Sequence, residues 1–166
     1  VVGGAVSVAA GGSLQWFRNN FCMPEMQTAK GMNIDPYYLM DKQAAEVPIG
    51  ANRLLFLPYI MGERSPLLDE NARGVFFVLS GMHTRQDMLR AVMEGVIYSL
   101  RQCLDVFKEM GVPFTEMLAT GGGGSSKLWR QMMADVYGCP VVTIDNREGP
   151  ALGAAILAGA GTAVYE

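Results

Sequence analysis

At 166 residues the chain has the length of one ordinary domain, and a hydrophobic share of 50% supplies apolar surface for a buried core, which excludes a disordered or fibrous polypeptide. A formal net charge of -3 gives no basic field to attract phosphodiester backbones, so nucleic acid is not an expected partner, while single nucleotides stay open. Cys22, Cys103 and Cys139 are odd in number, far apart and without CxxC spacing, so they suggest neither a disulfide framework nor a zinc site and fit a reducing cytoplasm. The solitary histidine, His83, reads as a capping or surface residue and is assigned no chemistry.

Residues 1–10 are apolar but lack an initiating Met and a basic flank, and glycines interrupt them well before the roughly 18 residues a membrane span needs. They are expected to be neither signal peptide nor anchor, and no membrane partner is expected. A chain opening on Val1-Val2 in mid-pattern looks cut from something longer. Gly11-Gly12-Ser13 precedes Leu14, Trp16, Phe17 and Phe21, a spacing that lets Ser13 or a neighbouring glycine cap a first helix with an apolar face. Asp35-Pro36, an N-cap with proline at the first helical position, predicts a helix over residues 36–46, closed by Pro48 and Gly50. Residues 54–57 read as a short buried strand, residues 62–73 as a charged, turn-rich loop and residues 74–79 as a second strand.

Thr84 and Asp87 form a Thr-x-x-Asp pattern that resembles a capping box, and Leu89, Val92, Val96, Leu100, Cys103 and Phe107 recur at helical spacing, predicting the longest helix, ending near Gly111. Pro113 and Phe114 break the chain. A strand over 117–120, a tight turn over 121–124, a helix over 125–137, a strand over 141–144 and a helix over 149–160 follow. Strands alternating with helices argue for an α/β layered domain with an at least partly parallel sheet. The 12 methionines read as adaptable core filler.

Thr120-Gly121-Gly122-Gly123-Gly124-Ser125-Ser126-Lys127 runs from a strand through glycines into a helix start. Free N–H groups and the positive end of a helix dipole suit phosphates and nucleosides there, and missing Cβ atoms let a ligand approach the backbone. The segment is not a Walker A loop, because Lys127 lacks the spacing from the glycines and a following Ser or Thr. A dinucleotide fingerprint is nearer: Gly121 and Gly123 satisfy its first part and Asp145 ends the next strand, but Ser126 stands in the third glycine's place. The plain alternative is a glycine-rich turn with a Ser cap. The residues Gly11-Gly12-Ser13-Leu14-Gln15 form a second such turn, for which an ordinary capped helix is the plain alternative. Small residues open the last helix at Glu148-Gly149-Pro150-Ala151-Leu152-Gly153-Ala154-Ala155, which packing explains, and Glu94 and Glu63-Arg64 read as ion-paired surface or internal groups.

Ala10-Gly11-Gly12-Ser13-Leu14-Gln15-Trp16, Leu57-Pro58-Tyr59 with Gly62-Glu63-Arg64-Ser65-Pro66, Ala72-Arg73-Gly74-Val75-Phe76-Phe77 and the segment 121–129 together, and in this order, resemble the FGGY carbohydrate kinases. The stretch 74–94 resembles that family's second signature, with Val78 where the family usually has glycine, which implies a local change in strand packing. The resemblance spans about residues 10–160 and implies an actin-like, ribonuclease H-like ATPase domain, an α/β mixed sheet flanked by helices. It implies that residues 1–166 are the second, C-terminal domain of a two-domain kinase, incomplete at the N-terminal edge, with ATP in the interdomain cleft and Mg²⁺ carried with the nucleotide.

By the same resemblance, Gly11 and Gln15 lie near the nucleotide phosphates, and Gly122, Gly123, Ser126 and Lys127 border the adenosine. The catalytic aspartate, the Asp-x-Gly-Thr-type phosphate loop and most sugar contacts belong to the first domain, so no catalytic residue and no metal ligand is expected here. Ser80-Gly81-Met82-His83-Thr84-Arg85 and Glu94-Gly95-Val96-Ile97-Tyr98-Ser99-Leu100 look most like xylulokinases, with gluconate kinases the nearest rival. That implies phosphorylation of a ketopentose, D-xylulose to D-xylulose 5-phosphate, by the full-length parent, and little turnover by this chain alone. A dinucleotide-binding oxidoreductase domain and a non-catalytic assembly module, self-associating as a homodimer, are the alternatives from other classes.

Overall fold

A computed structural model describes residues 7–8, 10–143 and 149–162. Seven helices and four short strands run in the order α1 (Ala10–Phe21), α2 (Met23–Met32), α3 (Pro36–Ala45), β1 (Leu55–Leu57), β2 (Val75–Phe77), α4 (Arg85–Glu109), β3 (Met117–Leu118), α5 (Gly121–Ser125), α6 (Lys127–Tyr137), β4 (Val141–Val142) and α7 (Gly149–Gly161) among the described residues. The expectations touching Val1, Val2, Ile144, Asp145 and Glu148 lie outside those residues.

The long helix α4 organises the rest. Its apolar stripe buries Leu89, Val92, Met93, Val96 and Ile97, and α1, α3, α6 and β1 all pack on it. Fully enclosed side chains such as Phe17 and Ile97 each contribute roughly 1.5–3 kcal/mol by leaving water. Contact with β1 is so close that a Cβ on Gly95 would lie 2.2 Å from the Phe56 carbonyl oxygen, so only glycine lets helix and strand meet here. The Thr84–Asp87 capping box closes fully: Thr84 N–H donates to Asp87 Oδ2 at 2.6 Å, and Asp87 N–H to Thr84 Oγ1 at 3.4 Å. Asp35 caps α3 as expected, accepting from Tyr37 N–H at 2.9 Å ahead of Pro36.

The expected sheet is two separate pieces. β1 and β2 pair antiparallel in the register Leu55↔Phe77, Phe56↔Phe76, Leu57↔Val75. β3 and β4 pair parallel, Met117↔Val141 and Leu118↔Val142, with α5 and α6 as the crossover. Period-two alternation sends Phe56 and Phe76 inward, their rings 4.6 Å apart, and leaves Leu55, Leu57, Val75 and Phe77 on an exposed face.

Four local expectations change. Ser13 does not cap α1: the helix has begun at Ala10, and the buried Ser13 hydroxyl instead donates to the Pro58 carbonyl at 3.2 Å, tying α1 to the end of β1. Helix α2 was unforeseen; Pro24 in its first turn and the left-handed Asn33 cap are its only strong marks. The glycines 121–124 form the short helix α5 rather than a plain turn. Strand β2 stops at Phe77 because Val78 has φ +67°, a left-handed conformation that suits glycine and strains a β-branched residue.

Candidate functional site

Both glycine turns open helices that share α4 as their support, α1 packing on it directly and α5 through its contact with α6. Gly11 is the second residue of α1 and exposed; a Cβ built there meets nothing within 4 Å. Gln15 follows one turn later on the same face and is also exposed. At the second turn Gly121 has φ +71°, and Gly122, beside it, is exposed with no atom within 4 Å of its missing Cβ. Thr120 precedes α5 in extended conformation and makes no side-chain cap hydrogen bond, so the first N–H groups of α5 take no acceptor from it.

The next two glycines serve the fold. A Cβ on Gly123 would come within 3.2 Å of the Trp129 ring, and one on Gly124 within 2.6 Å of the Ala119 carbonyl oxygen. Arg130 donates to the Gly124 carbonyl and fastens α5 to α6. Ser126 is the N-cap of α6, accepting from Trp129 N–H at 3.0 Å. Burial pushes the Asp41 carboxyl up, the Ser126 hydroxyl pulls it down, and the Asp35 charge pushes it up again. Lys127, the first residue of α6, is exposed.

Gly11, Gln15, Gly122 and Lys127 thus present open faces, whereas Gly123 and Ser126 are engaged within the chain. Gly31 and Gly81 are as unconstrained as Gly11, but neither lies in the first turn of a helix.

The polar residues set aside as structural behave so. His83 Nδ1 accepts from Ser80 N–H at 2.9 Å, which leaves Nε2–H to donate to the Asn52 carbonyl at 3.1 Å; the ring staples two loops. Glu94 pairs with Arg90 at 2.6 Å inside the core and also accepts from Gly50 N–H. Glu63 is not paired with Arg64. Its buried carboxylate accepts from Ser7 Oγ, Val8 N–H and Arg64 N–H, joining the start of the described chain to the charged loop. Among the described residues no cluster of His, Cys, Asp or Glu could hold a metal ion, and no helix is long and apolar enough to cross a membrane. A cavity of about 30 Å³ lies between α4 and α6, lined by Arg90, Glu94 and Asp135 among others, away from both glycine turns.

A xylulose kinase from Bacillus subtilis is 38% identical over 97% of this chain and 30% of its own length. A gluconokinase from the same organism is 43% identical over 95% of this chain and 31% of its own. Ligand-bound xylulose kinase from Lactobacillus acidophilus superimposes with a TM-score of 0.76 at 31% identity, covering 96% of this chain and 31% of that one. The chain therefore spans about 30% of the length of the curated relatives it matches. The α/β, actin-like expectation stands with this likeness, and the dinucleotide-binding oxidoreductase alternative falls. A family model described as the C-terminal domain of the FGGY family of carbohydrate kinases matches residues 2–162, and the chain belongs to that family.

Proposed function

We propose that this chain is the nucleotide-gripping, second domain of an ATP-dependent sugar kinase whose full-length form phosphorylates a ketopentose, D-xylulose to D-xylulose 5-phosphate. The observation that carries the reading is the pair of glycines, Gly11 and Gly122, which stand in first turns of helices with neither internal contact nor positive φ to require them. Close approach of a ligand to the backbone supplies the missing reason. Gly11 and Gln15 serve the phosphates; Gly122, Gly123, Ser126 and Lys127 border the adenosine, with Gly123 and Ser126 acting by holding the shape of that edge.

ATP supplies the transferred phosphoryl group, and Mg²⁺ travels with it. Phosphoryl transfer depends on positioning and charge neutralisation from both sides of the reacting group, and this chain carries one side, so it turns over little by itself. Partners are ATP or ADP, and the sugar through the other domain. The free cysteines fit a reducing cytoplasm. The exposed face of Leu55, Leu57, Val75 and Phe77 favours one addition, a homodimer through that face, which mass in solution tests.

A second reading, gluconate as the sugar, is favoured by the higher identity of the gluconokinase. Calorimetric titration of MgADP into the chain, with Gly11→Val and Gly122→Val beside it, tests the nucleotide assignment, and binding indifferent to both changes defeats it. Turnover of the full-length parent on D-xylulose against gluconate decides the sugar.

A further inference from the structure

The first turn of α1 is seated on the segment that leaves β1, and the contacts run in antiparallel order. Ser13 Oγ donates to the Pro58 carbonyl at 3.2 Å, and a Cβ on Gly12 would rest against Met61 Cε at 3.7 Å. Just ahead of the helix, Ser7 Oγ donates to Glu63 Oε2 at 2.9 Å and Val8 N–H to Oε1 at 3.1 Å, while Arg64 N–H donates to the same Oε1 at 2.7 Å. The loop behind the carboxylate is closed: Glu63 and Asp69 exchange backbone hydrogen bonds at 2.9 and 3.0 Å, and Gly62 holds φ +80° where a Cβ would strike the Glu70 carbonyl oxygen at 2.8 Å. Glu63 is 3% exposed, and it enters none of the ion pairs among the described residues, Arg85–Glu25, Arg90–Glu94 and Arg101–Asp105. A buried carboxylate adds little to stability over an apolar side chain of its size; what it supplies is fixed geometry for its donors. Two of its three donors belong to the lead-in to the Gly11 turn.

Resting on the nucleotide reading above and deepening it, we propose that Glu63 is a positioning residue, which through Ser7 and Val8 fixes the lead-in to α1 so that the Gly11 turn is in place before the phosphates arrive. A turn ordered in advance binds without first losing its own freedom, which raises affinity with no new contact to the ligand. Glu63 acts through the backbone leading to Gly11 and does not touch the nucleotide. Glu63→Gln preserves the arrangement, because the amide oxygen accepts from both N–H groups and the amide nitrogen donates to Ser7 Oγ. Glu63→Ala preserves none of it.

The test is calorimetric titration of MgADP into the wild-type chain and into Glu63→Ala, Glu63→Gln, Glu25→Ala and Gly11→Val, with thermal melts in parallel. Glu25→Ala is the stability control: it cuts the buried pair with Arg85, whose guanidinium also holds the Phe21 carbonyl at the opposite end of α1. In Glu63→Ala the affinity for MgADP falls about tenfold, the cost of ordering a short turn on binding, and Glu63→Gln recovers most of that loss. Glu25→Ala melts lower and keeps its affinity. Where Glu63→Ala does not fold, Ser7→Ala, which removes only the bond to Oε2, takes its place and loses about threefold. Wild-type affinity in the Glu63→Ala chain, or in Ser7→Ala where that stands in, overturns the proposal. So does a Glu63→Gln chain as weak as Glu63→Ala, or an equal loss of affinity in Glu25→Ala. In each of those cases the nucleotide reading survives if Gly11→Val still weakens MgADP. A wild-type chain that does not bind MgADP, or a Gly11→Val chain that binds it as wild type does, overturns the phosphate role of the turn and the proposal with it.

Discussion

The contact of α4 with β1 and the first turns of α1 and α5 are both built on glycine, for opposite reasons. At the contact, the chain itself forbids a side chain: a Cβ on Gly95 would sit 2.2 Å from the Phe56 carbonyl oxygen, and behind α5 one on Gly124 would sit 2.6 Å from that of Ala119. In the first turns, a Cβ on Gly11 or Gly122 would meet nothing within 4 Å. The first pair is needed to fold. For the second pair the fold gives no reason, although glycine inside a helix costs up to about 1 kcal/mol relative to alanine, and the proposed nucleotide contact would supply one.

The largest effect that separates the two regions is on stability. Gly95→Ala forces α4 off β1 and should lower the unfolding free energy by about 3 kcal/mol in urea denaturation; retained stability would break the distinction. Acid attacks the packed side next. Glu25, 4% exposed, pairs with Arg85 at 2.6 Å across α2 and α4, and the Arg85 hydrogen bond, opposed by burial and helped by Gln43, lowers its carboxyl from 4.5 to about 2. A group depressed in the folded state contributes fully above its unfolded pKa, so this contribution is complete above about pH 4.5 and drains away as pH falls toward 2, on the order of 2 kcal/mol in all. Glu25→Gln should flatten that part of an acid melting series.

Valine at a glycine conformation makes the converse case. Val78 at φ +67° should gain about 1 kcal/mol on Val78→Gly, the relieved strain exceeding the backbone entropy lost, and a lower melting temperature would contradict it. Smallest is the stability change at the open turns. Gly11→Ala and Gly122→Ala should hold or raise stability by up to about 1 kcal/mol, as alanine does in an unobstructed helix.

Where the signal is local, the sequence already carried the structure. The α4 stripe of Leu89, Val92 and Val96, its Thr84–Asp87 box and the Asp35-Pro36 start of α3 each depend on residues a few positions apart. Helix α2 offers little periodic apolar signal, burying only Glu25 and Ala29, so pattern reading passes over it. Four glycines argue against a helix on propensity alone, yet 121–125 are helical because Gly124 backs onto Ala119 and Gly123 onto Trp129. Distance in sequence likewise hid the Glu63 network with Ser7 and Val8. Of the site, the glycines were legible as glycines; which of them serve packing required the neighbours in space.

MgADP titration of wild type, Gly11→Val and Gly122→Val, with each variant's melting temperature recorded, tests the central claim most directly. Affinity should fall at least about tenfold in both variants while melting stays within a few degrees of wild type, separating binding glycines from folding ones. Unchanged affinity in both, or a loss that only follows unfolding, would contradict the assignment of these turns to the nucleotide.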